Sequence, residues 1–497
     1  MQNPFLSRFA AALCLLLPSF AGAQAIHIPA TAQESPTLPV PGNLRIPFNW
    51  PSIAIAPADA GSPTLVKWSA QELPPGETIR LRLVTALDSR EPLLLEIRIP
   101  SDSEPLENIN FNFAPVFQFG EISLTRAQAT RVLAEGIVIT RTVGKAPFHI
   151  FGPAPDGKAT PALIQPHLMV AGETDPWAEY LTRLEGLDTI QPFGWMEGSL
   201  LDGVWDLSKI SPNRKFAQGY SDRIDLYLRG DELIYEDPKS RPADGRVCGI
   251  EDSLPFAAIA RTRPEHPSIQ IAVDFWKKHR RSSGFAEGCI QDGGMCSAEG
   301  AYTVGYPLMY IAALRNDPQL TALALDQFRL RKKLLVDDDG GIWLRNSNGR
   351  RTMKNWARGV TWYYLGLIRG IVEAPEGTDT TDLRAEAVRV MEFVLLHQQE
   401  NGLWRNLFDI PTQTVDTSGS SGIAAALAIG ANEGILPEKA RAAAQKTKDG
   451  LTAYLTADGL LSHGTPSNRS PEAQSNRRVI FPVGMGLAAQ LLAALEE

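Results

Sequence analysis

Between residues 177 and 496 apolar residues recur at helical spacing in twelve separate stretches, and no other feature of the chain restricts its fold as much. They run roughly 177–187, 195–208, 213–229, 251–262, 267–282, 300–315, 318–335, 355–372, 380–399, 418–433, 437–455 and 480–496. Ser211-Pro212, Asp317-Pro318, Leu436-Pro437 and Phe481-Pro482 punctuate them as helix boundaries are punctuated. Twelve helices make six hairpins, which either stack as a solenoid or close into a double ring of inner and outer helices. No solenoid-like sequence period is present, and Gly-rich, aromatic-rich loops suit a ring with a site at one mouth. The expected fold is therefore mainly α, an (α/α)6 barrel or six-hairpin toroid over residues 175–497.

The first third follows a different period. Thr64–Trp68, Ile79–Val84, Leu93–Ile99 and Gly136–Arg141 carry apolar residues at every second position with Pro and Gly between the runs, which predicts antiparallel strands. Residues 46–150 are read as a small β-sandwich-like domain that is structural or substrate-orienting and carries no catalytic group, because its charged residues alternate outward. A Pro/Ala/Thr-rich linker at 25–45 precedes it, and a Pro/Gly-rich connector at 151–174 follows. Residues 1–24 have the form of a signal peptide: Arg8, the apolar run Phe9–Leu17 and the small residues Ala21-Gly22-Ala23. No later stretch reaches the roughly 18–20 apolar residues of a membrane span. A soluble periplasmic or secreted product is expected, with no membrane partner.

A formal charge of −8 without a Lys/Arg stripe argues against nucleic acid as partner. An acidic ligand must then be met by local cations, and Arg345, Arg350, Arg351, Lys354 and Arg358 form such a cluster, although Arg350 and Arg351 also suit a plain solvated loop. Beyond the leader the cysteines are Cys248, Cys289 and Cys296; export permits a Cys289–Cys296 bridge without demanding one. Without paired C-x-x-C spacing they make a poor zinc site, and no metal or cofactor is expected.

The centre of the chemistry is Asn355-Trp356-Ala357-Arg358-Gly359-Val360-Thr361-Trp362. A guanidinium between two indoles offers a bidentate anion clamp beside stacking faces, a combination suited to an anionic sugar. The same residues also suit the packing of a helix start. Trp195, Glu197 and Trp205 share an early helix and either line the barrel or belong to its core.

Several elements, in order, resemble the unsaturated glucuronyl and rhamnogalacturonyl hydrolases of glycoside hydrolase families 88 and 105. Trp356-Ala357-Arg358-Gly359-x-x-Trp362 is similar to their W-x-R-G-x-x-W. Gly402-Leu403-Trp404 followed by Asp416-Thr417-Ser418-Gly419-Ser420 is similar to G-L-W then E-T-S-G-S, and Val483–Glu496 to the glycine-rich closing helix. The resemblance covers about 175–497 and implies an (α/α)6 barrel that removes a terminal unsaturated uronic acid from an acidic oligosaccharide. An acid protonates the C4=C5 bond, water adds at C5, and the hemiketal opens to expel the leaving sugar.

It also implies two acids, one from an element resembling I-D-D and one from D-D-x-x-M-x-x-P. The first is met by Ile250-Glu251-Asp252; in place of the second stands Ser297-Ala298-Glu299-Gly300-Ala301-Tyr302-Thr303-Val304-Gly305-Tyr306-Pro307, where Glu299 is one or two residues out of register with Pro307. Candidate catalytic groups are thus Asp252, Glu299 and Glu251; candidate substrate-binding residues are Trp356, Arg358, Trp362, Arg345, Trp195 and Tyr302. Glu299 as a helix-start charge and Asp252 or Glu251 as an N-cap are the structural alternatives, and Asp416 either caps its helix or bonds at the barrel mouth. A family G-L-F-x-H is replaced by Gly341-Ile342-Trp343-Leu344-Arg345, so Arg345 is the expected stand-in for the missing histidine. Other functions left open are an exo-glucuronidase using a carboxylate pair, a non-catalytic oligosaccharide binder, and a lyase with Tyr302 or Tyr306 as base.

Overall fold

The computed structural model describes residues 24–497 apart from 37, 61–62, 71, 147, 155–159, 292 and 467–475. The leader at 1–24 therefore lies outside the described residues except for Gln24. Among the described residues no helix is long and apolar enough to cross a membrane.

Six inner helices pack side by side: Trp195–Ile210, Pro255–Thr262, Tyr306–Leu314, Ala357–Val372, Thr417–Asn432 and Val483–Glu496. The last packs back on the first and closes the ring. Glycines permit that seam: a Cβ at Gly203 would stand 2.4 Å from the Gly486 carbonyl oxygen, and one at Gly486 2.5 Å from the Leu200 backbone. Phe216–Tyr227, Ser268–Lys278, Pro318–Leu335, Thr381–His397 and Lys439–Leu451 back the ring from outside. Pro176–Leu184 joins them, tied by the Tyr180 hydroxyl to the carbonyl of Met485 in the last inner helix. These are the helices expected from the sequence, and the inner ones are buried on nearly every face.

The N-terminal region forms a five-stranded and a four-stranded antiparallel sheet that share one apolar core. Its limits correct two expectations. Strands Ile26–Pro29 and Ala32–Glu34 occupy the stretch read as a linker, and pair with His167–Ala171 and Thr64–Lys67. His167–Ala171 itself, in the supposed connector, lies between Ile26–Pro29 and Thr78–Val84 and is buried along its whole length. Burial on both faces removes the alternation that would have marked it as a strand. One helix, Arg126–Glu135, was not anticipated; Thr125 and Gln128 form its capping box.

Candidate active site

The beginnings of the inner helices gather the candidate residues. Trp195 is the first residue of one helix, Glu251 and Asp252 precede a second, Glu299 a third, Trp356 is the N-cap of a fourth, Asp416 of a fifth, and Phe481 stands just before the sixth. Helix N-termini carry unsatisfied N–H groups and partial positive charge, so this arrangement favours an anionic ligand.

Two adjoining cavities open here, sharing Pro238, Glu251 and Glu299. One holds Trp195, Trp356, Arg358 and Trp362. Asp252 and Arg345 line the other. Eight of the nine candidates thus meet around one cleft, and only Tyr302 does not.

Asp252 is 1% exposed, and its Oδ2 accepts from the Tyr235 hydroxyl (3.1 Å) and the Cys248 N–H (3.0 Å). It is not an N-cap: the following helix is capped by Leu254 without a side-chain bond. Gly194, at φ +118°, lets this segment approach, because a Cβ there would lie 2.9 Å from the Glu251 carbonyl oxygen. Tyr235 was missed by the sequence reading; nothing around it marks a partner for Asp252. Burial, reinforced by the Asp252 charge, pushes its phenol well above the usual range, so it remains a donor.

Glu299 is followed by a π-helical turn, Ala301–Gly305. Such a turn takes up one residue more than an α-helical turn, which is the size of the smaller offset between Glu299 and Pro307. Arg345 reaches Glu299 at 3.7 Å because Cys296–Ser297 pairs with Trp343–Ser347 and sets Ser297 opposite Arg345. Two others of the basic cluster point elsewhere: Arg351 pairs with Asp337, and Lys354 with Asp337 and Asp339. Cys289 and Cys296 are buried free thiols with sulfurs 3.3 Å apart.

Arg358 departs from expectation. Its ring neighbours are Trp356 at 4.8 Å, Phe481 at 5.4 Å and Trp195 at 5.7 Å, not Trp362. Nor is its fork open: Nη1 donates to the Thr465 carbonyl (2.7 Å) and Ser418 Oγ (3.2 Å), and Nη2 to the Pro466 carbonyl (2.8 Å). Burial lowers it to about 10 while Asp416 and Glu299 oppose the fall, so it is charged at neutral pH. Arg358→Lys is expected to lower stability by about 1–3 kcal/mol, because one ammonium cannot satisfy both buried carbonyls; chemical denaturation measures this, and an unchanged midpoint would contradict the tie. Asp416 does both things anticipated for it, capping Ser418 N–H at 3.2 Å and accepting from Thr465 N–H at 3.0 Å.

Tyr302 is a correction. Fully buried, it donates to Asp202 Oδ2 at 2.6 Å and stacks between Trp362 and Tyr306 inside the ring. Tyr306 donates to the same acid, and burial pushes both phenols well above the usual range, so neither is placed to act as a lyase base. Glu197 is likewise interior, paired at 3.1 Å with Arg223.

The profile described as Glycosyl Hydrolase Family 88 matches residues 185–496. Protein Atu3128 of Agrobacterium fabrum is 29% identical over 157 residues, 31% of this chain and 67% of that protein. An unsaturated 3S-rhamnoglycuronyl hydrolase of an Alteromonas species is 26% identical over 215 residues, covering 40% of this chain and 50% of its own length. Among solved structures, a family 105 glycoside hydrolase from C. acetobutylicum superposes with a TM-score of 0.54 at 17% identity, over 65% of this chain and 97% of that one, which is a likeness of fold. A family match over well more than half the chain, on a closed helical ring with its acids at one mouth, makes the chain a glycoside hydrolase that belongs to glycosyl hydrolase family 88.

Proposed function

We propose that this enzyme removes a terminal 4,5-unsaturated uronic acid from acidic oligosaccharides. The observation that carries the reading is the meeting of Glu251, Asp252 and Glu299 with Trp195, Arg345 and Arg358 around one cleft at the helix starts of a family 88 ring. The activity of the Alteromonas relative, an unsaturated 3S-rhamnoglycuronyl hydrolase, supports the same substrate class. The leader-like residues 1–24 support an exported enzyme.

In this mechanism the Glu299 carboxyl gives its proton to C4. The electron pair of the C4=C5 bond forms the new C–H bond, leaving positive charge at C5 that the ring oxygen shares. Water adds at C5, and its surplus proton returns to the Glu299 carboxylate. The resulting hemiketal opens, and the leaving sugar departs from C1. Asp252, fixed by Tyr235 and the Cys248 N–H, supplies negative charge beside the developing cation. The helix N-termini and Arg345 favour the uronate carboxylate.

The test is turnover of a lyase-generated unsaturated disaccharide, read as loss of the ultraviolet absorbance of its double bond. Release of saturated glucuronic acid from an ordinary glucuronide, with the unsaturated disaccharide left intact, would replace this reading by an exo-glucuronidase.

A further inference from the structure

The cavity that holds Trp195 and Arg358 is not walled by the helical ring alone. Asp88, Arg90, Phe113 and Pro115, carried on connections of the N-terminal sheets, line it as well. All four lie outside residues 185–496, the span that matches family 88.

The wall is anchored at both loops. The Asp88 N–H donates to Ser240 Oγ at 2.9 Å, and Arg90 pairs with Asp88 while donating to the Pro238 carbonyl at 2.7 Å. Arg477, a few residues before Phe481, donates to the carbonyls of Asn110 (2.7 Å) and Asn112 (3.0 Å). These contacts join the two sheet loops to the segments that flank the cleft.

Phe113 itself stands at φ +50°, the left-handed region, with its N–H donating to the Glu91 carbonyl at 3.0 Å. A bulky aromatic residue is disfavoured there; Phe48 and Phe117 share the conformation, but both pack in or against the large apolar core, which Phe113 does not. Such strain persists where the surroundings impose it, commonly at ligand contacts. Its ring is half-buried and belongs to neither large apolar core, so it is not present as core filling. A partly exposed aromatic face lining the same cavity as Trp195 and Trp356 is suited to the apolar face of a pyranose ring.

We propose that Phe113 is a substrate-stacking residue, through which the N-terminal sheets contribute a subsite for the acidic oligosaccharide. Asp88 and Arg90 are positioning residues that hold the adjoining loop. The substrate class assumed here rests on the function proposed above.

The experiment compares wild type with Phe113→Gly, Phe113→Ala and Phe113→Tyr, using a disaccharide and a tetrasaccharide that end in an unsaturated uronate. Affinity is read by calorimetry and turnover by the ultraviolet signal. Phe113→Gly and Phe113→Ala are expected to raise Kd and KM about tenfold or more with kcat changed less, while Phe113→Tyr stays near wild type. Phe113→Gly should melt at or above the wild-type temperature, since glycine adopts this backbone freely. That separates stacking from a structural role, in which Phe113→Gly would lose stability and affinity together and overturn the proposal. Wild-type affinity in Phe113→Gly and Phe113→Ala would also overturn it, leaving the proposed reaction intact if the unsaturated substrate is consumed. Binding without turnover in wild type, weakened in Phe113→Gly, would sink the reaction and keep the stacking role. A wild type that neither binds nor consumes either substrate would sink both.

Discussion

Glu299→Gln is expected to reduce kcat on an unsaturated disaccharide by about 10²- to 10⁴-fold, the range typical of a lost general acid, while leaving affinity nearly unchanged. The amide keeps the shape of the carboxyl and its place beside Arg345 but has no acidic proton to give. Asp252→Asn supplies the contrast. Its carboxylate accepts from Tyr235 and from Cys248 N–H, and an amide can present an oxygen to the same donors, so the fold should survive. If Asp252 only stabilises charge, its replacement should lower the rate less than the loss of Glu299 does. A dead Asp252→Asn beside an active Glu299→Gln would reverse the two assignments and remove the significance attached here to the π turn at Ala301–Gly305.

Asp458→Asn is expected to destabilise the protein by about 3–5 kcal/mol, measured by chemical denaturation. Asp458 lies in the helical ring's last hairpin and is fully buried against the sheets, where Arg82 donates to it, with Nη2–Oδ1 at 3.0 Å, and His27 Nε2 lies 2.9 Å from Oδ2. Removing the charge strands a buried guanidinium, which among the described residues keeps Glu121, at 2.7 Å, as its acidic partner. Burial alone would raise Asp458, but Arg82 and His27 outweigh it and hold it well below the usual range. A depressed folded pKa contributes stability above the unfolded value near 3.9, lost as pH falls below about 4. Wild type should therefore lose this contribution in acid, and Asp458→Asn should show a flatter profile there. A variant as stable as wild type at pH 7 would show that the pair merely offsets its own desolvation.

The helices were legible because their length, apolar recurrence and punctuation are local properties. The strands Ile26–Pro29 and Ala32–Glu34 were not, since a Pro/Ala/Thr-rich composition conceals short pairing segments whose order comes from distant partners. The cleft was legible to the extent that its residues sit at helix starts, where motif and boundary coincide. What each side chain faces was not legible. Arg358 was placed between Trp356 and Trp362 by sequence distance, whereas a helix turns Trp362 inward onto Tyr302 and brings Trp195 and Phe481 from other hairpins against the guanidinium. Tyr302 was named as a substrate contact and possible base, but its partner Asp202 comes from another inner helix and carried no motif. Phe113 was out of reach because its meaning depends on an unusual backbone angle and on a contact between two separately organised halves of the chain.

The seam between Trp195–Ile210 and Val483–Glu496 also governs how the molecule is made. Its two sides are the first and last inner helices, so the ring closes only after every other hairpin has been synthesised. Contacts between such distant segments form slowly, because a long loop must be closed before any of them is gained. Until then the inner helices, apolar on almost every face, form an open arc that exposes a sticky edge at each end. The sheets, whose last strand ends at Ala171, can be complete much earlier on the growing chain. Fragments ending before Val483 would keep that arc permanently open, and their fate is aggregation rather than a smaller working enzyme.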